Sequence, residues 1–149
     1  GNNRWRVTLL GGSWISGGFE TMLTRYLWAA GGTGLSYYYD RTVPAHFFLI
    51  VPYAELVYYF VGDPASDFRF GLGGAFRYHI VLPKKKWELL VARYYSDPED
   101  IPNGAISFTT LSAELFSLIE WKSYSFQLAV RYDFNHPAFQ IVPSVSWKF

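Results

Sequence analysis

The sequence predicts an all-β fold: a closed antiparallel transmembrane up-and-down β-barrel of about eight strands, with an aromatic exterior facing lipid and a polar, plugged interior. Three observations carry this expectation. Apolar and polar residues alternate with period two in segments of about ten residues, separated by turn residues. The composition is 50% hydrophobic and 21% aromatic, yet 17% of residues are charged and the mean hydropathy is only +0.05, so apolar and polar residues are finely interleaved. The last segment is the cleanest: Phe139, Ile141, Pro143, Val145, Trp147 and Phe149 alternate with Gln140, Val142, Ser144, Ser146 and Lys148.

A chain of 149 residues suits one domain, 1–149. A membrane-spanning helix needs an apolar run of about 20 residues. The only candidate, 45–61, is broken by Pro52 and Glu55. The formal charge is +1, and Lys84, Lys85 and Lys86 read as a solvated turn, so nucleic acid is not an expected partner. With no cysteine, disulfides, thiolate metal sites and a cysteine nucleophile are excluded. Neither a metal nor a cofactor is expected. No signal peptide opens the sequence, so in an exported protein Gly1 is expected near the start of the mature form.

Along the chain, 4–14 alternates Trp5, Val7 and Leu9 with Arg6 and Thr8 and reads as the first strand. Residues 16–25 lack a clear period and read as a longer loop or a short helix. A glycine-rich strand is expected over 27–39, and a strand apolar on both faces except at Glu55 over 47–60. The strongest segment, 68–82, sets Phe68, Phe70, Leu72, Phe76 and Tyr78 against Arg69, Gly71, Gly73, Ala75, Arg77 and His79. A shorter strand over 87–95 would place Glu88 opposite Leu89 and Val91. Residues 105–121 and 124–134 follow, joined by a tight turn at Lys122 and Ser123. The strand 139–149 completes the set.

This assignment groups connectors 40–44, 83–86 and 122–123 at one end as short and basic. It groups 15–25, 62–67, 96–104 and 135–137 at the other as longer and more acidic. Short turns on the periplasmic side and longer loops outside are expected of a transmembrane barrel, which would put both termini in the periplasm. Pro52 and Pro143 each remove a ladder donor, and a bulge is expected at each.

The amounts on the two faces decide which is inside. Phe, Trp, Tyr and Leu at nearly every apolar position are too bulky for the lumen of eight strands, whereas Gly, Ala, Ser and Thr with scattered charges fit it. The lumen is therefore expected to hold Arg6, Glu55, Arg69, Arg77, His79, Glu88, Glu114, Glu120 and Arg131, with Asp133 near the outer rim. An unpaired charge there would cost several kcal/mol, so Glu55 and Glu114 should pair with some of Arg69, Arg77 and Arg131. Trp5, Trp87, Trp121, Tyr124 and Trp147 fall near strand ends, where an interfacial aromatic belt would lie.

The final segment resembles the C-terminal signature of bacterial outer-membrane barrel proteins: a terminal aromatic, Phe149, preceded at alternating positions by Trp147, Val145 and Ile141. With the strands before it, the resemblance covers nearly the whole chain and is to the small eight-stranded OmpA/OmpX-type class, with no subfamily selected. It implies an integral outer-membrane location, contact with membrane lipids and lipopolysaccharide, and recognition of the Trp147–Phe149 strand by the barrel-assembly machinery.

Catalytic patterns are sparse. His136 lies near Asp133 in the expected outermost loop, His46 follows an expected periplasmic turn and His79 is expected to face inward near the periplasmic end; no two share a strand at a useful spacing. Asp97, Glu99 and Asp100 form an acidic loop, read as solvated. No catalytic residue is assigned. The leading expectation is a non-enzymatic barrel with a structural, scaffolding or surface-interaction role, including as a subunit docked on a larger envelope protein. The alternatives are a lipid A- or phospholipid-modifying enzyme, and a small channel or hydrophobic-ligand transporter.

Overall fold

The computed structural model describes residues 3–11, 13–41, 44–94, 109–134 and 138–149. Eight strands run β1 (Asn3–Leu10), β2 (Ile15–Met22), β3 (Leu27–Asp40), β4 (Ala45–Val61), β5 (Phe68–Leu82), β6 (Thr109–Trp121), β7 (Tyr124–Asp133) and β8 (Phe139–Lys148), with a helix α1 (Lys84–Tyr94) between β5 and β6. Each strand pairs antiparallel with the next, and β8 returns to β1, so the barrel is closed. The seam runs from Arg6↔Lys148 to Leu10↔Ser144. Trp5 and Phe149 exchange backbone hydrogen bonds at its end, at 2.8 and 3.0 Å. Closure pairs the edges that an open sheet would leave exposed.

The strand count agrees with expectation, but two members differ. Residues 15–22 form β2 because tertiary context overrides a weak local pattern: Ser16, Gly18, Glu20 and Met22 face inward, and the two glycines erase the alternation a reader looks for. The strand expected over 87–95 is a helix over its described part, since 84–94 are helical. Trp87, Leu90 and Val91 stand at helical spacing. Trp87 and Leu90, with Val81, pack against Ala45 and Phe47 at the barrel mouth, and Val91 is buried. Glu88 therefore lies on α1, outside the charged network of the lumen.

Exchanging these two elements changes which connectors share an end. The termini share their end with 23–26, 62–67 and 122–123, whereas the chain passes from β1 to β2, β3 to β4, β5 to β6 and β7 to β8 at the other. The expected grouping of 40–44 and 83–86 with 122–123 is thus corrected. His46 and His79 stand toward the end away from the termini.

The prolines do not create bulges. Pro52 stays in register with Thr33 on β3, and the β4–β5 ladder pauses between Ile50↔Ile80 and Tyr53↔Arg77 without shifting. The pause is where a missing donor is harmless. Pro143 keeps its register with Leu128, and its carbonyl accepts the Gly11 N–H at 3.0 Å, where the seam ends. The register shift in this wall lies instead at Tyr59/Val61.

Alternation sorts the side chains. Among the described strand residues, no Asp, Glu, Lys or Arg takes an outward position, as expected where a charge on a lipid-facing wall costs about 2–4 kcal/mol at the midplane. Leu115 and Phe139 are 75% and 76% exposed. The interior is less uniformly polar than expected. β4, apolar on both faces, turns Phe47, Val51, Tyr53, Val57 and Tyr59 inward, and with Trp28, Phe116 and Leu118 they add an apolar core to the charged lumen.

Glycines make room for one of these rings. A Cβ on Gly18 would stand 2.3 Å from the Tyr53 hydroxyl, and one on Gly32 would stand 2.8 Å from it. Gly17, one residue along β2, has nothing within 4 Å of its Cβ position. Gly18→Val is therefore expected to lower unfolding stability by about 1–3 kcal/mol, while Gly17→Val stays within about 0.5 kcal/mol. Urea midpoints of the two variants refolded into lipid vesicles check this; equal shifts would refute it.

Candidate functional site

The lumen holds the densest chemistry of the molecule. Near the terminal end, β1 supplies Arg4, β2 Glu20, β5 Arg69, β6 Glu120 and β8 Lys148, all placed inward by register. Glu120 is their hub. Its carboxylate accepts from Arg4 at 2.8 and 3.2 Å, from Arg69 at 2.6 and 3.2 Å, from Lys148 at 2.7 Å and from the Tyr59 hydroxyl at 2.9 Å. Glu20 accepts from Arg4 at 2.8 Å and pairs with Lys148 at 3.2 Å.

Higher in the lumen a second cluster joins Arg6, Glu55, Arg77, Glu114 and Arg131. Arg6 donates to Glu55 at 2.8 Å and to the Tyr53 hydroxyl at 3.0 Å. Arg77 bridges Glu55, at 3.3 Å, to Glu114. Arg131 donates to Glu114 at 3.2 Å and to the Gly11 carbonyl at 2.8 Å. Arg6 also reaches Glu20 at 3.1 Å, which links the clusters.

Of the residues expected in the lumen, Arg6, Glu55, Arg69, Arg77, Glu114, Glu120 and Arg131 are all placed there and buried. Glu55 pairs with Arg6 and Arg77, Glu114 with Arg77 and Arg131, and Arg69 with Glu120. Sequence reasoning missed Arg4, Glu20 and Lys148 as members. The even-position polarity of β8 did carry the signal for Lys148, whereas Glu20 was hidden in a segment with no readable period.

Aromatic rings complete the lining. Arg4 and Arg69 lie 4.6 and 5.3 Å from the Trp28 ring centroid, Arg69 lies 3.9 Å from that of Tyr59, and Arg77 lies 4.7 Å from that of Tyr53. In a desolvated setting each such stack is worth up to about 2 kcal/mol. The rings thus offset part of the cost of burying an excess of cations. Three guanidinium nitrogens, Arg6 Nε, Arg69 Nη1 and Arg131 Nε, are buried without a partner, as is Glu55 Oε2.

The histidines are separated. His46 packs on the outer wall against Tyr37, whose hydroxyl it meets through Nδ1, and against Tyr39. His79 faces inward, its Nε2 3.0 Å from Ser112 Oγ. His136 and the acidic Asp97, Glu99 and Asp100 lie outside the described residues. Among the described residues no group of three or more His, Asp or Glu side chains could hold a metal ion.

On the outer wall Trp5, Trp121, Tyr124 and Trp147 are exposed at the terminal end, with Phe149 beside them. Trp147 and Phe149 are in ring contact at 4.7 Å. Trp14, Tyr37 and Tyr39 stand on the wall at the opposite end. Trp87 is not part of either belt, because its ring packs edge-on to Phe47 under α1.

No family model matches the chain, and no curated protein matches it. Among solved structures, the N-terminal β-barrel domain of Pseudomonas aeruginosa OprF is similar, with a TM-score of 0.52 and 12% identity over 99% of this chain and 98% of that one. The outer membrane enzyme PagL gives a TM-score of 0.47 and 10% identity over 99% and 97%. At 12% identity the likeness to OprF speaks to the fold alone: an eight-stranded antiparallel up-and-down barrel of the outer-membrane kind.

Two outcomes follow. Glu120→Ala strands Arg4, Arg69 and Lys148 around one remaining carboxylate and is expected to cost about 3–5 kcal/mol. Arg25→Ala breaks only the exposed pair with Asp63 and should leave the unfolding midpoint almost unchanged. Urea unfolding in vesicles distinguishes them. Separately, the Arg25 guanidinium, with the Ala65 N–H, holds the Asp63 carboxyl below the usual aspartate value. That contribution is present above the ordinary carboxyl range and disappears as pH falls through the lowered value. An NMR titration of Asp63 should therefore show a depressed midpoint that Arg25→Ala moves up toward the usual value; an unchanged midpoint would refute the pairing.

Proposed function

We propose that the chain is an integral barrel of the bacterial outer membrane whose role is structural, scaffolding or surface-interacting, including as a subunit against a larger envelope protein. The observation that carries this reading is the pairing of a charge-free aromatic wall with a lumen filled by side chains. A wall without charges suits lipid on all sides, and a lumen crossed by linked ion pairs leaves transport without a path. Contacts with membrane lipids and lipopolysaccharide through the wall and its aromatic belts, and recognition of Trp147 and Phe149 by the barrel-assembly machinery, belong to the same proposal.

The connector lengths support termini on the periplasmic side. The connectors described at the terminal end, 23–26, 62–67 and 122–123, are short, whereas the sequence 83–108 separates β5 from β6 at the other. The absence of cysteine makes this directly testable. In intact cells Lys85→Cys should react with a membrane-impermeant maleimide and Ser66→Cys should not; the reverse pattern would invert the orientation.

The enzymatic alternative is expected to need a rim cluster around His136, which lies outside the described residues; among the described residues it draws on one contact, Ser112 Oγ to His79 Nε2. Ser112 is 0% exposed and faces the lumen, so it is not presented to a lipid ester and the pair reads as a hydrogen bond within the filling. The channel alternative meets the two charge clusters and the Trp28, Tyr59 and Phe116 rings between the barrel ends. In a planar bilayer the purified protein is expected to give no conductance above the bare membrane. Discrete, long-lived steps would overturn the sealed-barrel reading, and an altered lipid A mass in expressing cells would overturn the non-enzymatic one.

A further inference from the structure

The strands are uneven in length: β1 and β2 run 8 residues each, whereas β3, β4, β5 and β6 run 14, 17, 15 and 13. One ladder row leads from Trp5 on β1 through Gly31, Phe76 and Ala113 to Phe139 on β8. At the seam Leu10, five residues along from Trp5, pairs with Ser144, and Phe139 lies five residues further on. The row therefore climbs ten residues in one circuit, about 1.25 per strand. Measured against that climb, the strand ends on the terminal side, from Asn3 round to Lys148, fall within about three residues of the level of Trp5. The opposite rim is stepped.

There β1 and β2 end about five residues above Trp5, at Leu10 and Ile15, whereas β3, β4 and β5 end about eleven to thirteen above it, at Asp40, Ala45 and Leu82. Strands tilted by about 40° gain roughly 2.5 Å per residue along the barrel axis. The wall thus stands roughly 13 Å above the terminal aromatic belt on the β1–β2 flank and roughly 30 Å on the β4 flank. The apolar band of such barrels is about 25 Å tall. On the β4 flank that band fits, since Tyr39, His46 and Phe48 lie on the outer wall about ten to twelve residues up.

On the β1–β2 flank a band of that height would submerge the turn at Gly11, Ser13 and Trp14. The β2–β3 ladder ends there at Ile15↔Leu35 and the β8–β1 ladder at Leu10↔Ser144, so sheet edges begin at the same depth. Hydrocarbon offers the backbone groups of turns and edges no hydrogen-bond partner. Trp14 is 63% exposed on the wall beside the turn, its ring centroid 6.1 Å from that of Tyr37, and an indole so placed marks a polar–apolar boundary. Tilting the whole barrel cannot level the flanks, because the flat terminal rim would tip by the same angle. We propose that the barrel is a wedge that thins the bilayer beside β1 and β2, where the polar boundary descends to Trp14, about 10 Å below its height beside β4. The wedge presupposes the membrane-spanning reading above and adds to it one flank at which lipid packing is perturbed.

Because the chain has no cysteine, single spin labels report the depth of chosen wall positions. Ile15 and Phe76 face outward on β2 and β5, both about five residues above the level of Trp5. In vesicles of 18-carbon phosphatidylcholine, collisions with oxygen and with a water-soluble nickel chelate read how deep each label lies. The Ile15→Cys label should sit about 10 Å shallower than the Phe76→Cys label. At the terminal rim of the same two strands, labels on Thr21→Cys and Phe70→Cys should read equal depths. Should either outer variant not refold, Leu9→Cys and Leu115→Cys form a second pair about four residues above Trp5.

Equal depths at Ile15 and Phe76, with Phe76 in hydrocarbon, overturn the wedge and leave the membrane-spanning reading standing. A difference between Thr21 and Phe70 as large as that between Ile15 and Phe76 identifies a tilted barrel and overturns it as well. Water access at both Phe76 and Leu115 removes the membrane-spanning reading itself, and the wedge with it.

Discussion

Among the described residues ten charged side chains are joined in ion pairs across the lumen of an eight-stranded barrel, and the need to pair them there governs much of the remaining structure. Arg4, Arg6, Arg69, Arg77, Arg131 and Lys148 face Glu20, Glu55, Glu114 and Glu120. Bulk water does not screen charges in so small a space, and each unpaired ion would cost several kcal/mol. The partners must therefore come from strands that are distant in sequence, as Glu120 does for Arg4 and Lys148. The register of β1, β6 and β8 and the pairing of charges are two views of one constraint.

The same constraint explains the small residues. Long side chains crossing the lumen need space opposite them, and Gly18 and Gly32 give it to Tyr53, whose hydroxyl accepts from Arg6 and whose ring lies beside Arg77. With the charges inside, the wall is left to Phe, Leu, Tyr and Trp. Lipid then does for the outside what water does for an ordinary domain surface. The proposed function builds on this division of labour: in that reading the wall and its two aromatic ends meet lipid and neighbouring proteins, and the filled lumen holds shape.

Much of this was legible in the sequence because a strand with two different faces writes its orientation at every second residue. Arg69 and Arg77 on β5 and Glu114 and Glu120 on β6 could be placed inward by parity alone. Parity failed where residues carried no contrast. β2 was hidden by Gly17 and Gly18, whose small size matters only once Tyr53 from β4 is known to lie against Gly18. Residues 87–95 showed apolar residues at both periods, and the docking of Trp87 and Leu90 on Phe47, a tertiary contact, decided for helix. Individual pairings were legible only as a list of candidate partners, because they depend on register across strands. Arg69 pairs with Glu120, which faces it across the β5–β6 ladder, and not with Glu55 or Glu114.

Lys148 offers the most direct view of whether cross-lumen pairing holds the barrel together, since it joins the last strand to β2 through Glu20 at 3.2 Å. A double-mutant cycle with Lys148→Met and Glu20→Gln, read as unfolding free energy in vesicles, isolates that link. A coupling energy of about 1–3 kcal/mol is expected for charges in one buried network. Strictly additive single effects would contradict a barrel fastened by its lumen.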